Sequence, residues 1–260
     1  MIVVVPVDPP RDGLVLGSLV ENTSITPAEA SRLYEATLVD VIRTVDSSGG
    51  ELLVNYRKAE SIRPSDYIEP EGKTSPDVGE GSLAESIRSI VTRTLEDGTD
   101  VRVEPQIGST RAGRVGNTVT HLLEQEDHSS VGVLEPTVPL VGRTEIDGAA
   151  MSIRRNDVVL GPSPGGDIYL ACFAEPIDFT DVFEPPALAT LADRAAAAGL
   201  QVGFAPMLPT VETVGDLCST VAGVRARQSA GGPVPDATSM VLDELGLRIV
   251  DGPMLSRRDR

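Results

Sequence analysis

Along this chain, short apolar runs alternate with longer segments whose apolar residues return every three or four positions. The runs "MIVVVPV", "ELLVNY", "VRVEP", "SVGVLEP" and "QVGFAP" have strand length. The segments between them carry helical periodicity. In "TPAEASRLYEATLVDVIRTVD" the residues Ala30, Tyr34, Thr37, Leu38, Val41 and Val45 share one face. Thr26 and Glu29 have capping-box spacing, Pro27 sits at the first helical position, and Gly49-Gly50 closes the segment. A second box, Ser82 and Glu85, precedes the stripe Leu83, Ile87, Ile90, Val91 and Leu95. Val115, Val119, Leu122 and Leu123 predict a helix of about three turns. Further helices are expected over "TEIDGAAMSIRR", over "PPALATLADRAAAAGL" with Gly199 as its stop, after Thr213 and Asp216, and over "DATSMVLDEL" before Gly246 and a short final strand.

Strands alternating with helices predict an α/β domain with a doubly wound, mostly parallel sheet. The alternation breaks once, in "VVLGPSPGGDIYLACF" (158–173), where two apolar runs flank "GPSPGGD". A close pair of strands there makes the sheet mixed, with one antiparallel member. The loop itself has two readings, a turn that only joins two strands or a backbone shaped to approach a ligand, which Gly165 and Gly166 would permit. Residues 57–81 are polar and rich in Pro and Gly, and read as an exposed loop. "QSAGGPVP" reads as a flexible joint, which divides the chain into a main domain over 1–228 and a helix-strand extension over 229–260.

Composition narrows the function. Hydrophobic residues make up 40% of the chain, which supports a buried core. The apolar runs are too short to span a bilayer, and "MIVVVPV" reads as a strand, not a leader, so the expected location is the cytoplasm. A net charge of −17 argues against nucleic acid as partner. Lys58 and Lys73 are the only lysines, and aromatic residues are 3% of the chain. Such an acidic, lysine-poor surface suits concentrated salt, where screening removes self-repulsion. Cys172 and Cys218 lie in apolar contexts and are expected as buried free thiols. Two histidines, His121 and His128, cannot build a histidine-rich metal site.

Four strings, in order, carry a resemblance: "TPAEASRLYEATLVDVI"; "PQIGSTRAGRV" with Pro105, Gln106, Gly108 and Arg114; "DVVLGPSPGGDIYLACF" with Gly161, Pro162, Gly166, Tyr169 and Leu170; and "LPTVETVGDL" with Val211, Thr213, Asp216 and Leu217. Over roughly residues 1–225 the chain resembles the glycosyltransferase-like family of radical-SAM/selenodomain-associated transferases. These are similar to GT-A nucleotide-diphospho-sugar transferases, and share that superfold with the 2-phospho-lactate guanylyltransferases. The resemblance implies a nucleotide or nucleotide-sugar ligand in a cleft at the carboxyl ends of the strands.

The chain departs from the family's pattern where the chemistry should lie. Leu16, Gly17 and Ser18 replace a basic Lys-Thr-Arg segment, and Thr137 replaces an aspartate suited to a divalent metal. Asp167 follows Gly165-Gly166 where the family's acid precedes two glycines, and Thr110, Thr210 and Glu212 stand for aspartates. The candidate ligand residues are therefore Asp8, Arg11, Gln106, Arg114, Glu135, Gly165, Gly166 and Asp167, with Asp12 beside them. Arg11 and Arg114 are the cations expected to hold an anion. Mg²⁺ or Mn²⁺ enters only if Glu135 acts as a displaced ligand. Three functions fit: a divergent transferase, a nucleotidyltransferase related to the guanylyltransferases, or a non-catalytic scaffold on the same fold. No substrate, cofactor, catalytic residue or oligomeric state is fixed by the sequence.

The charge pattern generates a first test. The unfolding temperature should climb as KCl rises from about 0.1 to about 2 M, beyond the range where simple screening saturates. A flat response would remove the salt-adapted reading.

Overall fold

The structure, a computed structural model, describes residues 1–68, 80–95, 101–250 and 254–257. Its first strand, β1 (Ile2–Val7), shows what the apolar run is for. Val3, Val5 and Val7 enter one hydrophobic cluster, while Ile2 and Val4 enter another on the opposite face. A strand covered on both faces needs apolar residues at every position. The same sorting holds in β2 (Glu51–Tyr56), where Leu52, Val54 and Tyr56 oppose Leu53.

These strands join β3 (Arg102–Pro105), β4 (Val131–Leu134), β5 (Val158–Ser163), β6 (Asp167–Phe173) and β7 (Val202–Phe204) in a seven-stranded sheet of order β3-β2-β1-β4-β6-β5-β7. Only β6 runs against its neighbours, pairing antiparallel with both β4 and β5. The fold is thus the mixed, mostly parallel sheet that the alternation of elements implies, with its antiparallel strand at the one break in that alternation. Helices cover both faces. On the face of Val3 lie α1 (Gly17–Asn22), α2 (Pro27–Asp46), α3 (Glu80–Thr94), α5 (Arg143–Ser152), α7 (Val214–Ser229) and α8 (Asp236–Glu244); on the other lie α4 (Arg111–Glu124) and α6 (Ala187–Ala197). Among the described residues no helix is long and apolar enough to cross a membrane.

Several local expectations change. The capping box at the start of α2 is formed, with Glu29 N–H donating to Thr26 Oγ1 (3.3 Å) and Thr26 N–H to Glu29 Oε2 (2.9 Å). The box at Ser82 is not the start of α3, which already includes Glu80; a capping pattern inside a helical stripe cannot mark the boundary by itself. The short helix α1 has no counterpart among the expected elements, since six residues are too few to show a period. The loop "GPSPGGD" shrinks to a turn at Pro164–Gly166, since β5 runs on to Ser163 and β6 begins at Asp167. Gly165 and Gly166 have φ of 78° and 84°, which a side chain would resist, and this is what makes so tight a turn possible. Of the expected exposed loop, residues 58–68 fold into two 3₁₀ turns against the loop after β1, with Ile68 N–H bonded to Gly13 C=O (2.8 Å). Residues 69–79 of that loop lie outside the described residues. Cys172 and Cys218 are both free and buried.

The C-terminal segment is tied to α2 at two points. Pro235 offers no cap to α8, and Asp40 of α2 supplies it instead. Its buried carboxylate accepts from Ala237 N–H (3.1 Å), Thr238 N–H (2.7 Å) and Thr238 Oγ1 (2.7 Å). Beyond α8, β8 (Leu247–Val250) and β9 (Met254–Arg257) form an antiparallel pair, and Arg257 meets Glu29 at 2.6 Å. That guanidinium holds the Glu29 carboxyl down at about 2.

Replacing Asp40 leaves two helix N–H groups and a buried hydroxyl without an acceptor. Asp40→Ala should lower stability by about 1.5–3 kcal/mol, because hydrogen bonds to a charged group are the costly ones to lose. Chemical denaturation measures this; a loss below about 0.5 kcal/mol would show that α8 does not depend on this cap.

Candidate functional site

The register of the parallel strands assembles one polar row. Val7, Tyr56 and Pro105 lie side by side in β1, β2 and β3. The next residue along each strand is therefore Asp8, Arg57 and Gln106. Backbone bonds continue across that row, from Arg57 N–H to Val7 C=O (2.8 Å) and from Gln106 N–H to Tyr56 C=O (2.8 Å). On the other side of β1, Glu135 follows β4 and its N–H bonds to Tyr169 C=O (2.8 Å). The chain turns away in opposite directions from β1 and β4, so Asp8 and Glu135 flank the switch point where sheets of this kind open a crevice.

Around Asp8 the charges are dense. Arg57 Nη1 lies 3.6 Å from Asp8 Oδ1, and Arg57 also pairs with Asp66 and donates to Ser61 C=O (2.7 Å). Its Nε is buried with no partner among the described residues. Gln106, itself buried, donates from Nε2 to Asn55 C=O (2.7 Å) and accepts from Arg114 Nε (2.6 Å). Arg114 is only 9% exposed, and among the described residues no carboxylate pairs with it. Burial, and then the neighbouring charge of Arg57, push its guanidinium below the usual arginine range. Gly108 shapes this corner: at φ 140° its backbone passes so near α4 that a Cβ would stand 2.8 Å from Arg114 N.

Glu135 forms the second half. It is 6% exposed, and Arg111 Nη2 meets its Oε1 at 2.7 Å. Arg111 stands over the Phe183 ring, 4.7 Å from its centroid, with 41% of its side chain still open to solvent. Burial lifts the Glu135 carboxyl to about 7; Arg111 opposes the shift, and Glu212 and Asp167 add to it. Thr137 donates its hydroxyl to Glu212 Oε1 (2.8 Å). Tyr34, buried on α2, joins the halves: its hydroxyl accepts from Asp8 N–H (3.0 Å). It is held well above the usual tyrosine range by burial, and then by the charges of Asp8, Glu135 and Glu212. Leu16, in the loop after β1, has a left-handed φ of 51°, costing about 1–2 kcal/mol where glycine would cost little.

Of the residues singled out by sequence, Asp8, Gln106, Arg114, Glu135 and Asp167 lie at this edge. Asp167 is exposed and accepts from its neighbour Ile168 N–H (2.8 Å), yet its charge reaches both Arg111 and Glu135. Gly165 and Gly166 form the turn beside it. Arg11 shares the loop after β1, where its carbonyl accepts from Leu14 N–H (3.1 Å), but among the described residues its guanidinium meets none of these groups. Of the two cations expected, Arg114 stands in this cluster and Arg11 apart from it among the described residues, while Arg57 and Arg111 join Arg114. Arg111 was visible in "STRAGR": three residues before Arg114, it must share a helical face with it. Arg57 was visible as the residue ending "ELLVNYR", by the rule that singles out Asp8. Glu212 was visible only through the resemblance, as the acid standing for an aspartate in "LPTVETVGDL", and Tyr34 read as a core residue of its helix.

No family model matches the chain, and no curated protein matches it. Among solved structures, a candidate nucleotide-diphospho-sugar transferase from Desulfovibrio desulfuricans G20 superposes with a TM-score of 0.71 at 18% identity, covering 93% of each chain. The chain has the fold of that protein. At 18% identity the likeness concerns the fold alone. CMP:2-keto-3-deoxy-manno-octonic acid synthetase complexed with CTP is more distant, with a TM-score of 0.47 at 9% identity over 88% of this chain and 98% of that one. So is a cytidylyltransferase from Leptospira borgpetersenii serovar Hardjo-bovis (strain JB197), with a TM-score of 0.46 at 10% identity over 94% of this chain and 93% of that one. Neither of these two likenesses is close enough to argue from.

Glu135 sets a pH test. A carboxyl lifted on folding from its ordinary 4.5 to about 7 binds its proton more tightly in the folded chain. Its contribution to stability is full below 4.5, falls as pH rises through that window, and stays lost above it. Glu135→Gln should therefore gain on the parent between about pH 4.5 and 7, by on the order of 3 kcal/mol. Melting curves of both proteins across that range decide it; parallel pH profiles would refute the shift.

Proposed function

We propose that this chain binds a nucleotide or nucleotide-sugar through its phosphates, at the carboxyl edge of the sheet around Asp8, Arg57, Arg111, Arg114 and Glu135. The observation that carries this is Arg114. Among the described residues it is a buried guanidinium bonded to a neutral amide and to no carboxylate, in the fields of Arg57 and Arg111 and, against them, of Asp8 and Asp66. An anion arriving beside it would supply the missing partner, and the fork of an arginine matches phosphate oxygens. In a chain of net charge −17, Arg57, Arg111 and Arg114 bring three cations to the switch point of the sheet, beside Asp8, Asp66, Glu135, Glu212 and Asp167. The fold shared with a candidate nucleotide-diphospho-sugar transferase makes that ligand class the first to test. The narrower likeness to the radical-SAM/selenodomain-associated branch rests on the four sequence strings.

A thermal-shift screen of nucleoside mono-, di- and triphosphates and nucleotide sugars, in about 2 M KCl, tests the proposal. A ligand at a hundred times its dissociation constant should stabilise the fold by about 2.7 kcal/mol. Arg114→Gln should weaken that ligand at least tenfold, the equivalent of about 1.4 kcal/mol. If no phosphate compound shifts the melting temperature, or Arg114→Gln leaves the affinity unchanged, the proposal fails.

A further inference from the structure

Phosphate transfer and phosphate binding on this fold raise the question of what neutralises the diphosphate, and a divalent ion is the usual answer. The side chains at this edge do not fit one. Mg²⁺ and Mn²⁺ ask for about six oxygens in an octahedron, several of them from carboxylates or water. Here one oxygen of the buried Glu135 already faces Arg111 at 2.7 Å, so an ion seated on Glu135 would have a guanidinium for a neighbour. Residue 137 is a threonine, a neutral hydroxyl that donates to Glu212 and brings no carboxylate charge to an ion. Among the described residues no three His, Cys, Asp or Glu side chains gather in a way that could hold a metal ion.

Arg111 has the properties the missing ion would supply. It begins α4, where Thr110 caps the helix by accepting from Gly113 N–H (3.0 Å), so its backbone is fixed. Its side chain is held from two sides, by Glu135 and by the Phe183 ring. Among the described residues it pairs with that one carboxylate, and 41% of its side chain remains open. A guanidinium has five N–H donors in a planar fork, so a bond to Glu135 leaves others free. Such a fork can take two oxygens of a diphosphate.

We infer that Arg111 is the resident cation of this site. It neutralises the diphosphate of the ligand in place of a divalent metal, and Glu135 is the positioning residue that aims it. The inference rests on the phosphate-binding reading given above, and the experiment separates the two. Calorimetric titration with inorganic pyrophosphate is run on the parent chain in EDTA and again with added Mg²⁺. Binding is expected in EDTA and no tighter with Mg²⁺. In EDTA, Arg111→Gln should weaken pyrophosphate at least tenfold. Arg111→Lys should recover part of that loss, since it restores charge without the fork. Glu135→Gln, which loosens the hold on Arg111, should weaken pyrophosphate several-fold in the parent background and add nothing to the loss in Arg111→Gln; an additive loss would show that Glu135 does not act through Arg111. If binding appears only with Mg²⁺, or Arg111→Gln binds like the parent, the role of Arg111 is overturned while phosphate binding stands. If pyrophosphate and every nucleotide of the screen fail to bind, both readings fall. Should Arg111→Gln not fold, the EDTA comparison on the parent and the lysine variant still decide.

Discussion

The parallel pairing of β1 with β2 and β4 is the constraint from which the rest follows. β1 is sealed above, below and along both edges, and its register sets Ile2 to Val7 against Glu51 to Tyr56 on one side and Ile2 to Val4 against Val131 to Val133 on the other. That register ends the first three strands on one row, and chemistry begins one residue later. Asp8, Arg57 and Gln106 are neighbours because Val7, Tyr56 and Pro105 are. The site's geometry is thus inherited from core packing, and a change that disturbed the valines of β1 would disturb the arginines without touching them.

The second theme is electrostatic. The chain is strongly acidic, yet at one edge of the sheet arginines stand close enough for their charges to act on one another. Arg57 is balanced by Asp8 and Asp66, and Arg111 by Glu135. Arg114 has a neutral amide instead. Like charges are held together here by burial and by hydrogen bonds that the fold sets in advance, and such an arrangement gains most from an incoming anion. The buried Glu135 contributes by fixing Arg111 in place. Its own carboxyl, lifted to about 7, shows how much its burial costs.

The C-terminal segment adds a different kind of dependence. α8 lacks a cap of its own and borrows Asp40, and β9 borrows Glu29. Both acids belong to α2, which also carries Tyr34 to Asp8 at the carboxyl edge of the sheet. One helix therefore links the tail, the core and the polar row, with Glu29 and Asp40 holding the tail on either side of Tyr34.

Periodicity and capping carried much of this architecture into the sequence. The runs that became β1, β2 and β4, the stripe of α2 with its Thr26–Glu29 box, and the odd pair of strands at 158–173 were all legible, because each is a local pattern imposed by burial or by helix ends. Asp8, Gln106 and Glu135 were legible for the same reason: a residue that ends a parallel strand must lie at the carboxyl edge. The identity of the cations was not. Arg11 stands in the right loop and meets none of the cluster, while Arg57 and Arg111 take its place, because a long side chain can point anywhere its neighbours allow. The partnerships of Tyr34 with Asp8, Thr137 with Glu212 and Asp40 with α8 span distances in sequence that no local pattern records. Sequence determined which segments are strands and helices, since backbone and burial preferences act over a few residues. Which charges share a site was decided only by the tertiary structure, since electrostatic and hydrogen-bonding partners are chosen in space.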